Sequence, residues 1–347
     1  MPSTQKSSIL VVRLSAIGDI VMSSPVARAI KERWPNSELT WIVQPECAAL
    51  LRSNSYVDNL IVWDKNHWKS LLKRGKFATF WQEIRKFRSM LRAYHFELAI
   101  DLQGLMKSAI LVWLSGAKHR VGLGCQEGSN MLMTKTISRN LGDLDQIGSE
   151  YRYLVNQLGM TDSPWDMSIS FTNEILEKIN NLLAIHVDDA RFAVFCPFTT
   201  RAQKHWFEKH WIQLAKTLID LYGLKIVILG GPGDTDNAKI MAERCDAISL
   251  AGQTSLQEAA AIISKASLLV GVDTGLTHMG HGYNIPTVAL FGSTCPYTYT
   301  GLDSSKIIYL DLPCSPCRRN PTCGGTYDCM RKISPETVLT EIKSIFK

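Results

Sequence analysis

The chain has 347 residues, of which 46% are hydrophobic and 20% are charged, and its formal net charge at pH 7 is +6. This length allows two domains that each bury a core. No stretch approaches the roughly 18 apolar residues that span a bilayer, and the N-terminal sequence lacks a secretory pattern because Arg13 interrupts its apolar run. These features exclude a membrane-spanning helix and favour a cytoplasmic enzyme.

Apolar runs predict strands that alternate with helices along the chain. The predicted strands are Ile9–Val12, Leu39–Val43, Leu60–Trp63, Leu98–Asp101, Arg120–Gly122, Phe192–Cys196, Lys225–Leu229, Ile248–Leu250, Ser267–Val272 and Thr287–Phe291. The predicted helices include Val26–Arg33, Phe80–Tyr94, Trp206–Tyr222, Leu256–Lys265 and Ser334–Phe346. Alternation of this kind is typical of parallel sheets that are covered by helices on both faces.

The alternation pauses between residues 161 and 190, and the apolar strand RFAVFCPF then restarts it. We therefore predict two Rossmann-like domains, at residues 1–165 and 191–333, joined by a linker at 166–190. A C-terminal helix at 334–347 is expected to pack back on the N-terminal domain. Ligands of such sheets bind beyond the carboxyl ends of the strands, so the active site is expected in the cleft between the domains.

The first strand-to-helix turn, VVRLSAIGDI, carries a carboxylate at a place where many α/β proteins bind a phosphate. It offers a single glycine, Gly18, and Asp19 would repel a phosphate. Asp19 is suited to capping the first helix. If the nucleotide is bound by the other domain, Asp19 is also placed to act as a base.

Three strand ends in the second half favour an anion or a nucleotide. The first, TTRAQKHW, presents Thr199, Thr200 and Lys204 before a helix, and the second, GGPGD, ends in Asp234. The third, DTGLTHMGHG, places four candidates at a helix entry: Asp273, Thr274, Gly275 and His278. Thr capping, a surface lysine and a structural histidine are the alternatives. Donors at a helix N-terminus are suited to charge that develops on a leaving phosphate.

A basic, aromatic segment lies between residues 61 and 92. It contains nine Lys or Arg residues against Asp64 and Glu83, interleaved with Trp and Phe. A solvated helix with an apolar core stripe is one interpretation. The other is a surface for an anionic partner, namely nucleic acid, a phosphorylated glycolipid or a membrane leaflet.

Four of the nine cysteines cluster near the C-terminus as C-x2-C-x5-C-x5-C, at Cys314, Cys317, Cys323 and Cys329. Four soft ligands in one loop suit a structural zinc ion or an iron–sulfur centre, although the spacing matches neither a zinc ribbon nor a ferredoxin. Reduced cysteines that pack the loop are the alternative, since a cytoplasmic location disfavours disulfides.

Several motifs together resemble the ADP-heptose:lipopolysaccharide heptosyltransferases of glycosyltransferase family 9. They are VVRLSAIGDIVMSSPVARAIKERWP, DLQGLMKSA, TTRAQKHW, LAGQTSLQEAAAII and GVDTGLTHMGHGYNIPTVALFG. The resemblance runs from Ile9 to Phe346 and is closer to heptosyltransferase I than to II. It implies a GT-B fold, an α/β architecture of two Rossmann-like domains that face each other across a cleft. It also implies inverting transfer of heptose from the ADP-sugar to Kdo on lipid A.

The resemblance also assigns roles to residues. Asp19 matches the catalytic base, and Lys204 is expected to act in catalysis as well as in donor binding. The donor site is expected to comprise Thr199, Thr200, Lys204, Asp234, Asp273, Thr274, Gly275 and His278. The acceptor side is expected to comprise Arg13, Asp101, Gln103, Lys107 and Arg120. Because Lys204 and the helix entry supply positive charge, we expect no essential cofactor and no requirement for Mg²⁺.

Two features depart from the type I pattern. Asp234 stands where a glutamate is expected, and the four-cysteine loop is more like some type II members. A type II acceptor, or another sugar transferred by a family 9 enzyme, is therefore an alternative. A non-catalytic nucleotide- or nucleic-acid-binding module is an alternative of another class. The resemblance favours a peripheral enzyme on the cytoplasmic face of the inner membrane of a Gram-negative bacterium, with a glycolipid partner and no nucleic acid.

Overall fold

The computed structural model describes residues 7–139, 146–161, 163–167, 169–188, 190–294, 297–318 and 320–347. The chain divides into two compact units. Among the described residues, one unit comprises 7–139 with 148–161 and 163–166, and the other comprises 146–147 with the described part of 167–347. The predicted α/β architecture with two parallel sheets is confirmed.

The described part of the first unit contains a parallel six-stranded sheet in the order β3-β2-β1-β4-β5-β6. Its strands are β1 (Ser8–Val12), β2 (Glu38–Val43), β3 (Asn59–Val62), β4 (Leu98–Asp101), β5 (His119–Leu123) and β6 (Lys135–Ile137). Its helices are α1 (Ile17–Ser23), α2 (Pro25–Arg33), α3 (Pro45–Ala48), α4 (Lys65–Lys73), α5 (Phe77–Ala93), α6 (Met106–Ser115) and α7 (Ser149–Gln157). The central strand β1 is apolar and buried because helices cover both faces of a parallel sheet.

The described part of the second unit contains another parallel six-stranded sheet, in the order β12-β11-β10-β7-β8-β9. Its strands are β7 (Phe192–Cys196), β8 (Lys225–Ile228), β9 (Ile248–Ser249), β10 (Leu268–Val272), β11 (Thr287–Phe291) and β12 (Ser305–Tyr309). Its helices are α8 (Asn173–Val187), α9 (Glu208–Tyr222), α10 (Thr235–Cys245), α11 (Leu256–Lys265), α12 (Gly275–Gly282), α13 (Asp328–Arg331) and α14 (Pro335–Ile345).

The two sheets share one topology, because in each unit two strands lie on one side of the first strand and three lie on the other. The order reverses between β1 and β4 in the first unit and between β7 and β10 in the second. Crevices at such switch points, outside the carboxyl ends of the strands, are where doubly wound sheets bind ligands. The turns after these four strands therefore carry the side chains that matter for function.

Two segments differ from the prediction. Most of the expected linker at 166–190 is helix α8, whose N-cap Thr172 accepts a hydrogen bond from the Ile175 N–H and whose buried residues follow i, i+4 spacing. Helix α14 buries Val338 and Ile342 in the core of the second unit. The expectation that α14 packs on the N-terminal domain is therefore wrong for its apolar face, which is already covered by its own unit.

Among the helices within the described ranges, none is long and apolar enough to cross a bilayer.

Candidate active site

Asp19 is held at the start of α1 by a buried arginine. Its Oδ2 atom lies 2.5 Å from Nη2 of Arg13 and accepts a hydrogen bond of 3.0 Å from the Ala16 N–H. The predicted capping role of Asp19 is therefore confirmed. The Asp19 side chain is 32% exposed, and its Oδ1 has no hydrogen-bond partner among the residues that the structure describes. One carboxylate oxygen is thus fixed while the other is open to a ligand.

Arg13 is a supporting residue rather than a surface cation. Its side chain is 5% exposed, its Nη1 donates to the Leu102 carbonyl at 2.7 Å, and its guanidinium lies 5.6 Å from the centre of the Tyr151 ring. Burial opposes the charge, but neighbours that include Asp19 raise the pKa of Arg13 above its ordinary value. Burial raises the pKa of Tyr151 well above its usual range, so the ring stays neutral. The expected contact between Arg13 and an acceptor is corrected to a contact with Asp19.

Asp101 and Gln103 shape the turn after β4. Asp101 is fully buried, and its carboxylate accepts hydrogen bonds from the N–H groups of Gln103 and Gly104 and from the Ser108 hydroxyl. Burial raises the pKa of Asp101, although these hydrogen bonds act in the opposite direction. Gln103 Oε1 accepts the Leu14 N–H at 2.9 Å. A direct acceptor contact is excluded by burial for Asp101, and Gln103 joins this turn to the one that carries Asp19.

Arg120 and Lys107 have different surroundings. Arg120 donates to the carbonyls of Leu132 and Ala117, and it lies two residues before Gly122, which pairs with Asp101 at the end of β4. Since a strand rises about 3.3 Å per residue, Arg120 is set back from the carboxyl edge and serves as a tether there, which corrects its expected role. Lys107 is partly exposed, and burial together with the positive charges of Lys65 and Arg13 lowers its pKa. The acceptor role of Lys107 stays a prediction.

In the second unit, Lys204 and Asp273 form a buried ion pair. Lys204 Nζ lies 2.5 Å from Asp273 Oδ2, with side-chain exposures of 16% and 12%, and Thr294 Oγ1 also donates to this carboxylate oxygen. The two residues follow β7 and β10, which are neighbours at the switch point. The structure thus brings together two residues that lie 69 positions apart in the sequence.

His278 completes this cluster from the first turns of α12. Its Nε2 lies 3.6 Å from Asp273 Oδ1, and its Nδ1 lies 2.8 Å from the Tyr297 hydroxyl. Burial by itself raises the pKa of Asp273, but His278 and Lys204 outweigh that effect and hold it well below its ordinary value. Asp273 is therefore ionised and orients the lysine and the histidine. The sequence predicted these three residues but gave no signal for Thr294 or Tyr297.

The other predicted donor residues lie in turns that follow strands of the same sheet, and each has its own contacts. Thr274 is the N-cap of α12 and makes no side-chain capping bond, and Gly275 is the first helical residue. The first N–H groups of a helix lack intrahelical partners, so this end of α12 is a donor-rich edge beside Lys204. Asp234 Oδ2 accepts the Gly231 N–H at 2.8 Å, which stabilises its own turn. Its expected place in the donor site stays a prediction.

Thr199 and Thr200 line a cavity of about 390 Å³, together with His205, Trp206, Phe207 and Tyr327. His205 Nε2 lies 2.8 Å from the Thr199 carbonyl oxygen, which fixes the turn after β7. The cavity is thus lined by threonine and aromatic residues. Sequence reasoning predicted the two threonines, but it placed Trp206 and Phe207 in a helix, which in fact begins at Glu208, and did not single out Tyr327.

The four cysteines of the C-terminal loop range from partly exposed, at Cys314, Cys317 and Cys323, to buried, at Cys329. All four cysteines are described and unpaired, and no group of three or more His, Cys, Asp or Glu side chains within the described ranges is arranged to hold a metal ion. Cys329 is buried, and its sulfur lies close to Gly292. For this loop, the structural metal and the reduced, loop-packing thiols both stay predictions.

The model of glycosyltransferase family 9 (heptosyltransferase) matches residues 84–327, which is more than half of the chain. The chain belongs to glycosyltransferase family 9. Membership of this family favours glycosyl transfer over the alternative of a non-catalytic binding module. It also agrees with the motif resemblance, and the match includes every predicted donor residue.

Individual relatives extend the similarity beyond the family match. Lipopolysaccharide heptosyltransferase 1 of Escherichia coli strain K12 is 27% identical over 306 residues, covering 86% of this chain and 92% of the relative. Lipopolysaccharide heptosyltransferase 2 of the same strain is 26% identical over 352 residues, covering 97% and 98%. The structure of the E. coli heptosyltransferase WaaC with ADP-2-deoxy-2-fluoro heptose superimposes with a TM-score of 0.74 at 23% identity, covering 97% of this chain and 99% of the other. The last comparison establishes the shared fold.

Proposed function

We propose that this family 9 enzyme transfers heptose from ADP-L-glycero-D-manno-heptose to the inner core of lipopolysaccharide, with inversion at the anomeric carbon. The observation that carries the proposal is the buried Lys204–Asp273 pair beside the N-terminus of α12. This arrangement fixes the Lys204 ammonium beside the N–H donors of a helix N-terminus at the carboxyl edge of a sheet, where both can contact a departing diphosphate. The curated relatives, both lipopolysaccharide heptosyltransferases, support the same donor and pathway.

In the proposed reaction, Asp19 acts as the general base. Its open Oδ1 accepts the proton of the acceptor hydroxyl, and the hydroxyl oxygen forms a bond to the anomeric carbon. The bond between that carbon and the diphosphate oxygen breaks, and ADP leaves with the electron pair. Positioned acid–base catalysis typically contributes a factor of about 10² to 10⁴, so Asp19 is expected to affect turnover far more than donor binding.

The donor is proposed to bind the second unit through its diphosphate. Lys204 carries three N–H donors, so it can contact Asp273 and a phosphate oxygen at the same time. Thr199, Thr200 and the N–H groups at Thr274 and Gly275 are placed to complete the contacts. Because these groups neutralise the charge that develops on ADP, we propose that catalysis has no essential cofactor and that Mg²⁺ is not required. Activity that survives a chelator supports this statement, and activity restored only by Mg²⁺ contradicts it.

For the acceptor we propose Kdo on lipid A, as in type I enzymes. The motifs TTRAQKHW and DLQGLMKSA support this choice, whereas the identities of 27% and 26% to the type 1 and type 2 relatives do not separate the two acceptors. Lys107, with Lys65 nearby, supplies positive charge for the carboxylate of Kdo. Since that acceptor is a membrane lipid, we also propose that the protein is peripheral on the cytoplasmic face of the inner membrane.

A panel of purified acceptors tests the proposal. The protein is incubated with ADP-heptose and either Kdo–lipid A or Kdo–lipid A that already carries one heptose, and products are identified by mass spectrometry. A single heptose added to Kdo–lipid A supports the proposal. Transfer only to the heptosylated acceptor establishes the type II alternative, and transfer from another nucleotide sugar alone overturns the donor assignment.

A further inference from the structure

The helices α4 and α5 form a hairpin, here called the basic hairpin and comprising residues 65–93. An aromatic cluster joins the two helices from the inside. The Trp68 ring lies 5.6 Å from Trp63, 5.9 Å from Phe80 and 5.6 Å from Phe87, all edge to face. Trp63, Trp68 and Phe87 belong to the hydrophobic core of the first unit, as one interpretation of the sequence predicted. The hairpin is therefore a packed element rather than a loose arm.

Two other aromatic side chains of the basic hairpin are exposed to solvent. Phe77 and Trp81 are 59% and 58% exposed, although both are large apolar side chains. They lie at the start of α5, one turn apart, directly after the exposed turn Arg74–Lys76. Leu72, at the end of α4, is exposed as well. The end of the hairpin thus presents an apolar tip that the rest of its own unit does not cover.

The cations of the basic hairpin surround this tip. All nine Lys and Arg residues of the segment are exposed, at positions 65, 69, 73, 74, 76, 85, 86, 88 and 92. Of the two acids, Asp64 caps α4 by accepting N–H groups of the helix, and Glu83 lies 3.0 Å from His67. None of the nine cations forms an ion pair with another of the described residues. Their charge is available to a partner.

The apolar tip and part of the charge share one helical face. At about 100° per residue in an α-helix, Phe77, Trp81, Arg85 and Arg88 fall within an arc of about 80°. Aromatic residues together with Lys and Arg on one face of a helix are typical of elements that lie in the interface of an anionic bilayer. Each cation near such a surface strengthens binding about five-fold.

We propose that the basic hairpin docks on an anionic phospholipid bilayer, with Phe77 and Trp81 inserted in the interface and the surrounding cations over the headgroups. The proposal rests on the proposed function in one respect, that the acceptor is a lipid. The exposed aromatic pair distinguishes this occupant from duplex nucleic acid, because phosphate contacts alone give Phe77 and Trp81 no partner. The hairpin would hold the enzyme at the surface in which its acceptor is embedded.

Binding of the full chain to vesicles tests the docking surface directly, without any sugar substrate. Co-sedimentation is measured with phosphatidylcholine vesicles and with vesicles that also contain phosphatidylglycerol, at low and high salt. We expect binding only to the anionic vesicles, weakened by salt. The variant Arg85→Glu/Lys86→Glu/Arg88→Glu should bind more than about 100-fold more weakly. The matched control Lys216→Glu/Lys239→Glu/Lys343→Glu changes three exposed residues of the second unit. It alters the net charge by the same amount as the hairpin variant, and it should bind the vesicles within a few-fold of the parent protein.

The apolar contribution is tested by Phe77→Ser/Trp81→Ser. We expect anionic-vesicle binding to fall at least about ten-fold, since two large side chains lose burial. Ile185→Ser, at an apolar residue in α8 that is 77% exposed and thus more exposed than Phe77 or Trp81, should leave vesicle binding unchanged. Thermal unfolding of every variant shows that it is folded. Transfer to a deacylated Kdo acceptor should be unchanged in Phe77→Ser/Trp81→Ser, because that reaction needs no membrane.

Three results would overturn the docking surface. They are equal binding to neutral and anionic vesicles, parent-like binding by both hairpin variants, and duplex DNA binding that is tighter than vesicle binding and is lost in the same variants. The proposed function fails separately, if no heptose is transferred to the deacylated acceptor while vesicle binding is intact. Failure of one proposal is therefore distinguishable from failure of the other.

Discussion

Replacing Arg13 with methionine tests whether this buried cation positions Asp19. The substitution keeps an apolar stem over the Tyr151 ring but removes the contact of 2.5 Å to Asp19 and the hydrogen bond to the Leu102 carbonyl. Asp19 then keeps only its hydrogen bond from the Ala16 N–H. The carboxylate should therefore sample several orientations instead of one.

The expected loss of unfolding free energy depends on how deeply Arg13 and Asp19 are buried. Breaking a fully buried pair costs about 3–5 kcal/mol because a charge is left without a partner. Here the remaining charge belongs to Asp19, whose side chain is 32% exposed, so water can solvate it and we expect about 1–2 kcal/mol of unfolding free energy. The catalytic loss should be larger, since misplacing a reacting group by about 1 Å costs roughly 10²-fold in rate.

The assay is steady-state transfer, with thermal unfolding and ADP titration alongside. We expect kcat to fall about 100-fold while ADP affinity stays within two-fold of the parent, because the donor residues belong to the other unit. Arg13→Lys should recover part of kcat by restoring a charge. The matched control Arg28→Met removes an exposed ion pair with Glu32 on α2 and should leave kcat unchanged. An Arg13→Met enzyme with parent kcat would refute the positioning role.

Three further predictions concern the second unit. Lys204→Ala should raise the donor KM and lower kcat together, by roughly 10²–10³ in kcat/KM, in the same transfer assay, whereas Lys209→Ala on the exposed start of α9 should change neither. Burial lowers the pKa of His281 to about 3, so protons are taken up on unfolding and stability falls as the pH drops below the ordinary value of 6.5. Between about pH 6.5 and 5 this amounts to about 2 kcal/mol, and chemical denaturation of His281→Asn should show that this part of the slope is absent. Gly271→Ala would place a Cβ 2.0 Å from Thr277 Oγ1 and should lower the unfolding free energy by about 1–3 kcal/mol; an unchanged melting midpoint would contradict this close approach of β10 and α12.

The sequence was sufficient for the elements at the centre of each sheet. Strands such as β1 and β10 are short apolar runs buried on both faces, so composition alone indicates them. The strands β6 and β12 were missed because each lies at the edge of its sheet, where burial is incomplete and the apolar pattern is weak. Helix α8 had a usable signal, the cap Thr172 followed by apolar residues at i, i+4 spacing.

The candidate site was predicted as a set of strand ends, because the carboxyl edge of a parallel sheet is where ligands bind. In the structure, Lys204, Asp273 and Asp19 do lie in segments that follow β7, β10 and β1. The rule did not separate ligands from supports, since that distinction depends on local hydrogen bonds. Asp101 is the last residue of its strand, a position typical of ligand-binding residues. Its carboxylate nevertheless accepts hydrogen bonds from Gln103, Gly104 and Ser108 and so stabilises its own turn. The supporting contact of Arg13 was hidden for the same reason.

The most direct test of the account is the pair of measurements on Asp19→Asn: heptose transfer to Kdo–lipid A, and ADP affinity by calorimetry. The substitution keeps the shape of the side chain but removes the base. We expect transfer to be lost while ADP binds with nearly the parent affinity. Transfer at the parent rate, or loss of ADP binding, would contradict the assignment of Asp19 as the base.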